Sequence, residues 1–220
     1  YWQQAAENIA KLEVSADPFP YSDAVGILPE LFYNMMTAHL PETEAFIFPC
    51  EHKGVSFGCE DPRCIIDFDV GLGLENLTDA QRDFWLTVTS AENTMRVTNA
   101  LLSRFHDHLD LSVVARSAKG FGVQPKWLLS RSLPGFELPP HEDTHRKMLA
   151  ALFYLPTADR ESELGTILIR PKRKTIRQHP TNGGRFHPDD FIDVRQLPFR
   201  RNGFLAFPRS ASLLPARPPS

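Results

Sequence analysis

The chain has 220 residues, of which 42% are hydrophobic and 23% charged, and these proportions are typical of a globular domain. A chain of this length can bury about 70% of its unfolded surface around one core, so residues 1–220 are interpreted as a single domain. The formal net charge of −3 argues against nucleic acid as a partner, and no apolar run approaches the roughly 18 residues of a membrane span.

Residues 1–110 are predicted to form a mostly helical region that supports the core. Pro29 is expected at the first position of a helix that ends before Pro41. Apolar residues recur on one face of this predicted helix: Leu28, Leu31, Phe32, Met35 and Met36. The two methionines are interpreted as core residues rather than as metal ligands.

A second helix is predicted from a capping box, in which Thr78 is followed three residues later by Gln81. A third helix is predicted through the apolar positions between Met95 and Phe105. Two histidines that follow it, at 106 and 108, are expected to be exposed near the helix C-terminus, where positive charge is favourable.

The three cysteines lie between positions 50 and 64, and their odd number offers no disulfide framework, which favours a reducing, cytoplasmic location. Cys50, His52, Cys59 and Cys64 are four possible zinc ligands, but they lack the paired C-x-x-C spacing that makes such a site specific. Ordinary thiols in a loop-rich segment are the alternative interpretation.

Residues 111–220 contain short apolar runs separated by proline and glycine, a texture that predicts strands of a sandwich or barrel. The runs are LSVVA (111–115), WLLS (127–130), MLAALFYL (148–155), TILI (166–169), FIDV (191–194) and FLAF (204–207). Helices followed by strands predict an α+β domain with an antiparallel core. The basic run at 170–177 is interpreted as a solvated hairpin rather than an anion site.

The segment P-P-H-E-D-T-H (139–145) fits two different metal sites. As H-E-x-x-H on a helix, His141 and His145 would bind zinc and Glu142 would be the base of a peptidase, with Glu161 or Glu163 as a further acid. As H-x-D on a strand, His141 and Asp143 would lie on one face and suit Fe(II). The prolines before His141 argue against a helix that extends upstream, which favours the strand.

The neighbouring elements carry a resemblance to a known family. The segment 129–156, with its P-G-F turn, P-H-x-D motif, lysine at 147 and strand ending in Y-L, precedes G-T-I-L-I (165–169) and N-G-F-L-A-F (202–207). In this order the elements resemble the small Fe(II)/2-oxoglutarate-dependent oxygenases of the prolyl-hydroxylase-like type, as does D-P-F-P-Y-S-D-A-V-G-I-L-P (17–29).

The resemblance implies a double-stranded β-helix, or jelly roll, flanked by helices. It implies that His141 and Asp143 bind Fe(II), and that 2-oxoglutarate and O2 are consumed to hydroxylate a small-molecule substrate, with release of succinate and CO2. It suggests Lys147 and Arg217 as cations for the 2-oxoglutarate carboxylate, and Arg131 as a cation that reaches the cosubstrate or the substrate.

The second histidine of the family pattern is missing, because its expected position falls on Leu214 or Pro215. Four explanations remain open: a catalytically silent binding module, a metal site with two protein ligands and water, a histidine from elsewhere, or an altered or shortened chain. The candidate replacement histidines are His145, His179 and His187.

Overall fold

A computed structural model of the chain describes residues 1–48, 63–109, 123–136, 138, 140–141, 147–156, 164–172 and 186–209. Within these ranges helices and antiparallel strands occur together, which confirms the expected α+β class. The described strands do not close into a barrel. No helix in the described ranges is both long enough and apolar enough to cross a membrane.

The helices of the described residues are α1 (Trp2–Ala10), α2 (Glu30–Ala38), α3 (Asp79–Val88) and α4 (Ala91–Arg104). The predicted capping box begins α3, because Thr78 accepts a hydrogen bond from the Gln81 backbone and the Gln81 side chain accepts one from the Thr78 backbone. The predicted third helix is α4, and the two histidines after it form an exposed 3-10 turn, His106–His108.

Helix α2 differs from its prediction in two details. It begins at Glu30 because Pro29, with φ −53° and ψ 140°, is the residue before the first helical turn rather than part of it. Leu31 was expected on the apolar face, but it is 59% exposed, while Phe32 and Met36 are buried in the core.

The described strands form three antiparallel sheets, and the strands are β1 (Ser22–Val25), β2 (Arg63–Asp67), β3 (Leu128–Ser132), β4 (Leu149–Phe153), β5 (Gly165–Pro171), β6 (Phe191–Pro198) and β7 (Gly203–Pro208). One sheet has the order β1-β7-β4, β2 pairs with β3, and β5 pairs with β6. Five of the six predicted apolar runs are therefore confirmed as strands, and the run at 111–115 lies outside the described residues.

The three-stranded sheet is covered on both faces. Phe204 and Ala206 pack on the helices in the larger core, whose buried members include Trp2, Phe32 and Trp85. The opposite face carries residues that pack against the β5–β6 hairpin: Ala150, Tyr154, Leu205 and Phe207 from the sheet, with Leu168 and Leu197 from the hairpin. We call this second face of the sheet the inner face, because it lies between two facing sheets.

Candidate functional site

His141 takes part in a β-bridge close to the connection between β5 and β6. The Phe186 backbone N–H donates to the Pro140 carbonyl at 2.8 Å, and both His141 and Phe186 form a β-bridge. Pro140 is fully buried, and Phe186 packs against Ile169 and Phe191. The apolar contacts of Phe186 therefore help to hold the backbone next to His141 in place. The His141 side chain is half-buried.

This conformation bears on the two metal sites that the motif fits. An H-E-x-x-H zinc site needs His141 inside a helix, so that a histidine four residues later lies on the same face. An H-x-D site needs His141 on extended backbone, where alternate side chains share a face. The bridge at His141 is a strand-type contact, and residues 142–145, which would complete either motif, lie outside the described residues.

Many of the residues singled out from the sequence lie outside the described residues, and the hypotheses about them stay predictions. They are Cys50, His52, Cys59, Asp143, Glu142, His145, Glu161, Glu163, His179, Leu214, Pro215 and Arg217. The remaining ones, Cys64, Arg131, Lys147 and His187, have definite positions in the fold.

The two predicted cations of this set lie in or next to different sheets. Lys147 is exposed and lies two residues before β4, in the three-stranded sheet. Arg131 is half-buried in the β2–β3 ladder, opposite Cys64. The Cys64 thiol donates to the Arg131 carbonyl at 3.5 Å, and burial raises the pKa of this thiol while the charge of Arg131 acts in the opposite direction. Cys64 is thus a core residue, 1% exposed.

His187 follows Phe186 directly, so the hydrogen bond between Phe186 and Pro140 brings its backbone next to that of His141. Among the alternative histidines it is the one whose position falls within the described ranges. Its side chain is half-buried, and the segment continues into the 3-10 turn Pro188–Asp190.

A partly buried hydroxyl pair on the inner face is not among the residues predicted from the sequence. The Tyr154 hydroxyl lies 2.7 Å from the Thr166 hydroxyl, so the end of β4 and the start of β5 meet there. Burial raises the pKa of Tyr154 to about 12, because the charged phenolate would be poorly solvated; the hydrogen bond with Thr166 partly offsets the rise. The sequence signal that could have found these two residues is that both belong to the elements that carry the family resemblance, Y-L and G-T.

The described residues fit an Fe(II) site in the type and conformation of one ligand, His141. Imidazole is a suitable ligand for iron. On a strand, a carboxylate two residues after a histidine lies on the same face as that histidine. Within the described ranges there is no group of three His, Cys, Asp or Glu side chains that could hold a metal ion. Comparison with family models, curated proteins and solved structures found no match to this chain.

Proposed function

We propose that the chain is an Fe(II)- and 2-oxoglutarate-dependent oxygenase with a jelly-roll core, which hydroxylates an unactivated C–H bond of a small molecule. The observation that carries this proposal is the β-bridge at His141, next to the hydrogen bond that the Phe186 N–H donates to the Pro140 carbonyl. An H-x-D pair on such a backbone presents imidazole and carboxylate to one metal ion.

The strand pairing supports the proposed jelly roll. A double-sheet jelly roll places two antiparallel sheets face to face around a shared interior. Here the sheet β1-β7-β4 faces the β5–β6 hairpin, and side chains from both fill the space between them.

His141 and Asp143 would hold the iron. When bound, Fe(II) together with 2-oxoglutarate and O2 supplies the oxidant that attacks the C–H bond, and the cosubstrate leaves as succinate and CO2. The task of the protein is to bind, orient and shield the reactants.

The hydroxyls of Tyr154 and Thr166 are suited to bind a carboxylate in the interior. One of the two hydroxyls donates to the other, which leaves one O–H of the pair to donate to a ligand. The surrounding side chains of Leu168, Leu197 and Leu205 are almost fully buried and exclude water, which strengthens such a hydrogen bond.

The proposal is tested by adding Fe(II) and 2-oxoglutarate to the protein without oxygen and recording the metal-to-ligand charge-transfer absorption. The wild type is expected to develop this band, and His141→Ala is expected to lose it because one iron ligand is gone. The matched control is His106→Ala, which changes a histidine whose side chain is 72% exposed after α4.

A band in the wild type and in the His106 variant, but not in the His141 variant, is the predicted result. No band in the wild type would contradict the oxygenase proposal. The fold would then be interpreted as a catalytically silent jelly roll that binds a ligand or partner.

A further inference from the structure

A groove of about 330 Å³ lies on the surface between α1 and α4. Two alanines and three polar residues line it: Ala10, Asn99, Ala100, Ser103 and Arg104. Its volume falls within the range of roughly 300–1,000 Å³ that is typical of small-molecule sites. None of these residues belongs to the inner-face cluster, so the groove is separate from the interior between the two facing sheets.

The groove lies at the C-terminal ends of two helices that run in the same direction. Near the start of both helices, the Arg96 guanidinium of α4 donates to the Gln3 side chain of α1. At the other end, Ala10 is the last residue of α1 and lines the groove together with Ser103 and Arg104 of the last turn of α4. Partial negative charge collects at such helix ends, and the Arg104 side chain supplies the complementary positive charge.

Arg104 has no acidic partner within the described part of the chain. Its Nε is buried and has no hydrogen-bond partner there. The acidic side chains on the neighbouring segments contact other groups, because Glu7 accepts from the Gln3 amide at 2.8 Å and Asp107 lies 3.2 Å from the His106 imidazole. A buried donor on a charged group is rarely left without an acceptor, which indicates a partner that the described residues do not supply.

We propose that this groove binds a small aliphatic monocarboxylate through Arg104. The planar guanidinium offers a fork of N–H donors that matches the two oxygens of a carboxylate. The side chains of Asn99 and Ser103 are exposed at the groove and supply further donors, while Ala10 and Ala100 are small enough to leave room for an aliphatic chain.

The two helix ends favour a monoanion over a dianion such as phosphate, because their partial negative charges oppose each added negative charge of the ligand. The ligand is therefore a carboxylate with a single charge. The site needs neither iron nor 2-oxoglutarate, so the inference stands apart from the oxygenase proposal.

The site is tested by titrating hexanoate into the ¹⁵N-labelled full chain and recording the backbone amide resonances. Saturable shifts are expected for the amides of Asn99, Ala100, Ser103 and Arg104. Hexanamide has the same size but no charge, and it is expected to bind at least about tenfold more weakly, a difference of about 1.4 kcal/mol. The absence of saturable shifts at these amides, or equal affinity for hexanamide, would overturn the inference.

Arg104→Gln is expected to weaken hexanoate binding at least about tenfold, or about 1.4 kcal/mol. The matched control is Arg96→Gln, because Arg96 belongs to the same helix but contacts Gln3 instead of lining the groove, and it is expected to bind as the wild type does. Wild-type affinity in Arg104→Gln, or an equal loss in Arg96→Gln, would contradict the role of Arg104.

A second variant tests the groove without removing the half-buried arginine. Ser103 is exposed, so Ser103→Asp is expected to fold as the wild type does. Its new carboxylate would pair with Arg104 and repel hexanoate, and the expected result is again a loss of at least about tenfold in affinity. Unchanged affinity in Ser103→Asp would show that hexanoate does not bind beside Arg104.

Discussion

Asn202 has a structural role that can be recognised only in the folded protein. Its side chain accepts a hydrogen bond from the Leu28 N–H at 3.1 Å and donates one to the Leu28 carbonyl at 2.8 Å. The residue is 6% exposed and adopts φ 51°, a left-handed conformation that asparagine tolerates better than most residues. Asn202 thereby ties the start of β7 to the segment before α2.

Asn202→Ala is expected to lower the free energy of unfolding by about 2–4 kcal/mol, because it leaves two buried backbone groups of Leu28 unpaired and adds backbone strain. Urea unfolding of the variant measures this loss. The control is Asn34→Ala, since the Asn34 side chain makes hydrogen bonds on the exposed surface of α2. A loss at Asn202 as small as the one at Asn34 would contradict this role.

Gly165 begins β5 in a conformation and a space that only glycine fits. Its φ is 148°, and an added Cβ would lie 2.0 Å from the Leu197 carbonyl oxygen. Gly165→Ala is expected to cost more than about 3 kcal/mol, because the clash is with backbone rather than with a movable side chain. The Gly135→Ala variant measures the cost of backbone strain without a clash, because Gly135 has φ 85° but no atom lies within 4 Å of an added Cβ.

Thermal or urea unfolding measures the stability that is lost in the Gly165→Ala and Gly135→Ala variants. The Gly135 variant is expected to lose only about 1–2 kcal/mol from its backbone conformation. Equal losses in the two variants would show that the close approach to Leu197 has no energetic effect.

At the scale of elements, the hydroxyl contact of Tyr154 with Thr166 joins the end of β4 to β5. The pKa of Tyr154 is raised from 10.0 to about 12 in the folded protein, so folding favours the protonated phenol. The stabilisation from this group is therefore complete below about pH 10 and is lost as the pH rises through about 12.

Tyr154→Phe removes the ionisable group, so the free energy of unfolding of the variant is expected to fall less steeply between about pH 10 and about pH 12 than that of the wild type. Urea unfolding at several pH values measures the two slopes. Tyr1→Phe is the control, because Tyr1 is 55% exposed, and it is expected to keep the wild-type slope. Identical slopes in the wild type and in Tyr154→Phe would contradict the conclusion that burial raises the pKa of the Tyr154 phenol.

The elements of the second half could be predicted well because proline and glycine separate their apolar runs. Helix α1 was missed although its buried residues Trp2, Ala5, Ala6 and Ile9 have helical spacing, since alanine is a weak apolar signal. Strand β2 was missed because RCIID is short and contains charged residues, and its burial comes from packing beside β3 rather than from its own pattern.

At the scale of the whole molecule, the sequence predicts which residue types form the candidate site, and this stays a prediction, but it does not predict the long-range contacts around His141. The strand geometry at His141 could be argued from the two prolines before it. The contact of this segment with Phe186 depends on how the β5–β6 connection folds back, which no local pattern encodes. The same holds for Tyr154 with Thr166 and for Asp23 with Arg195, because each pair joins two different sheets or strands.

We propose that this fold supports oxidation of 2-oxoglutarate at a metal held by His141 and Asp143. The most direct measurement is the release of succinate when the purified protein is given Fe(II), 2-oxoglutarate and O2, compared with Asp143→Ala under the same conditions. We predict that the wild type releases more succinate than Asp143→Ala does. Succinate from the wild type that does not exceed that of Asp143→Ala would contradict it.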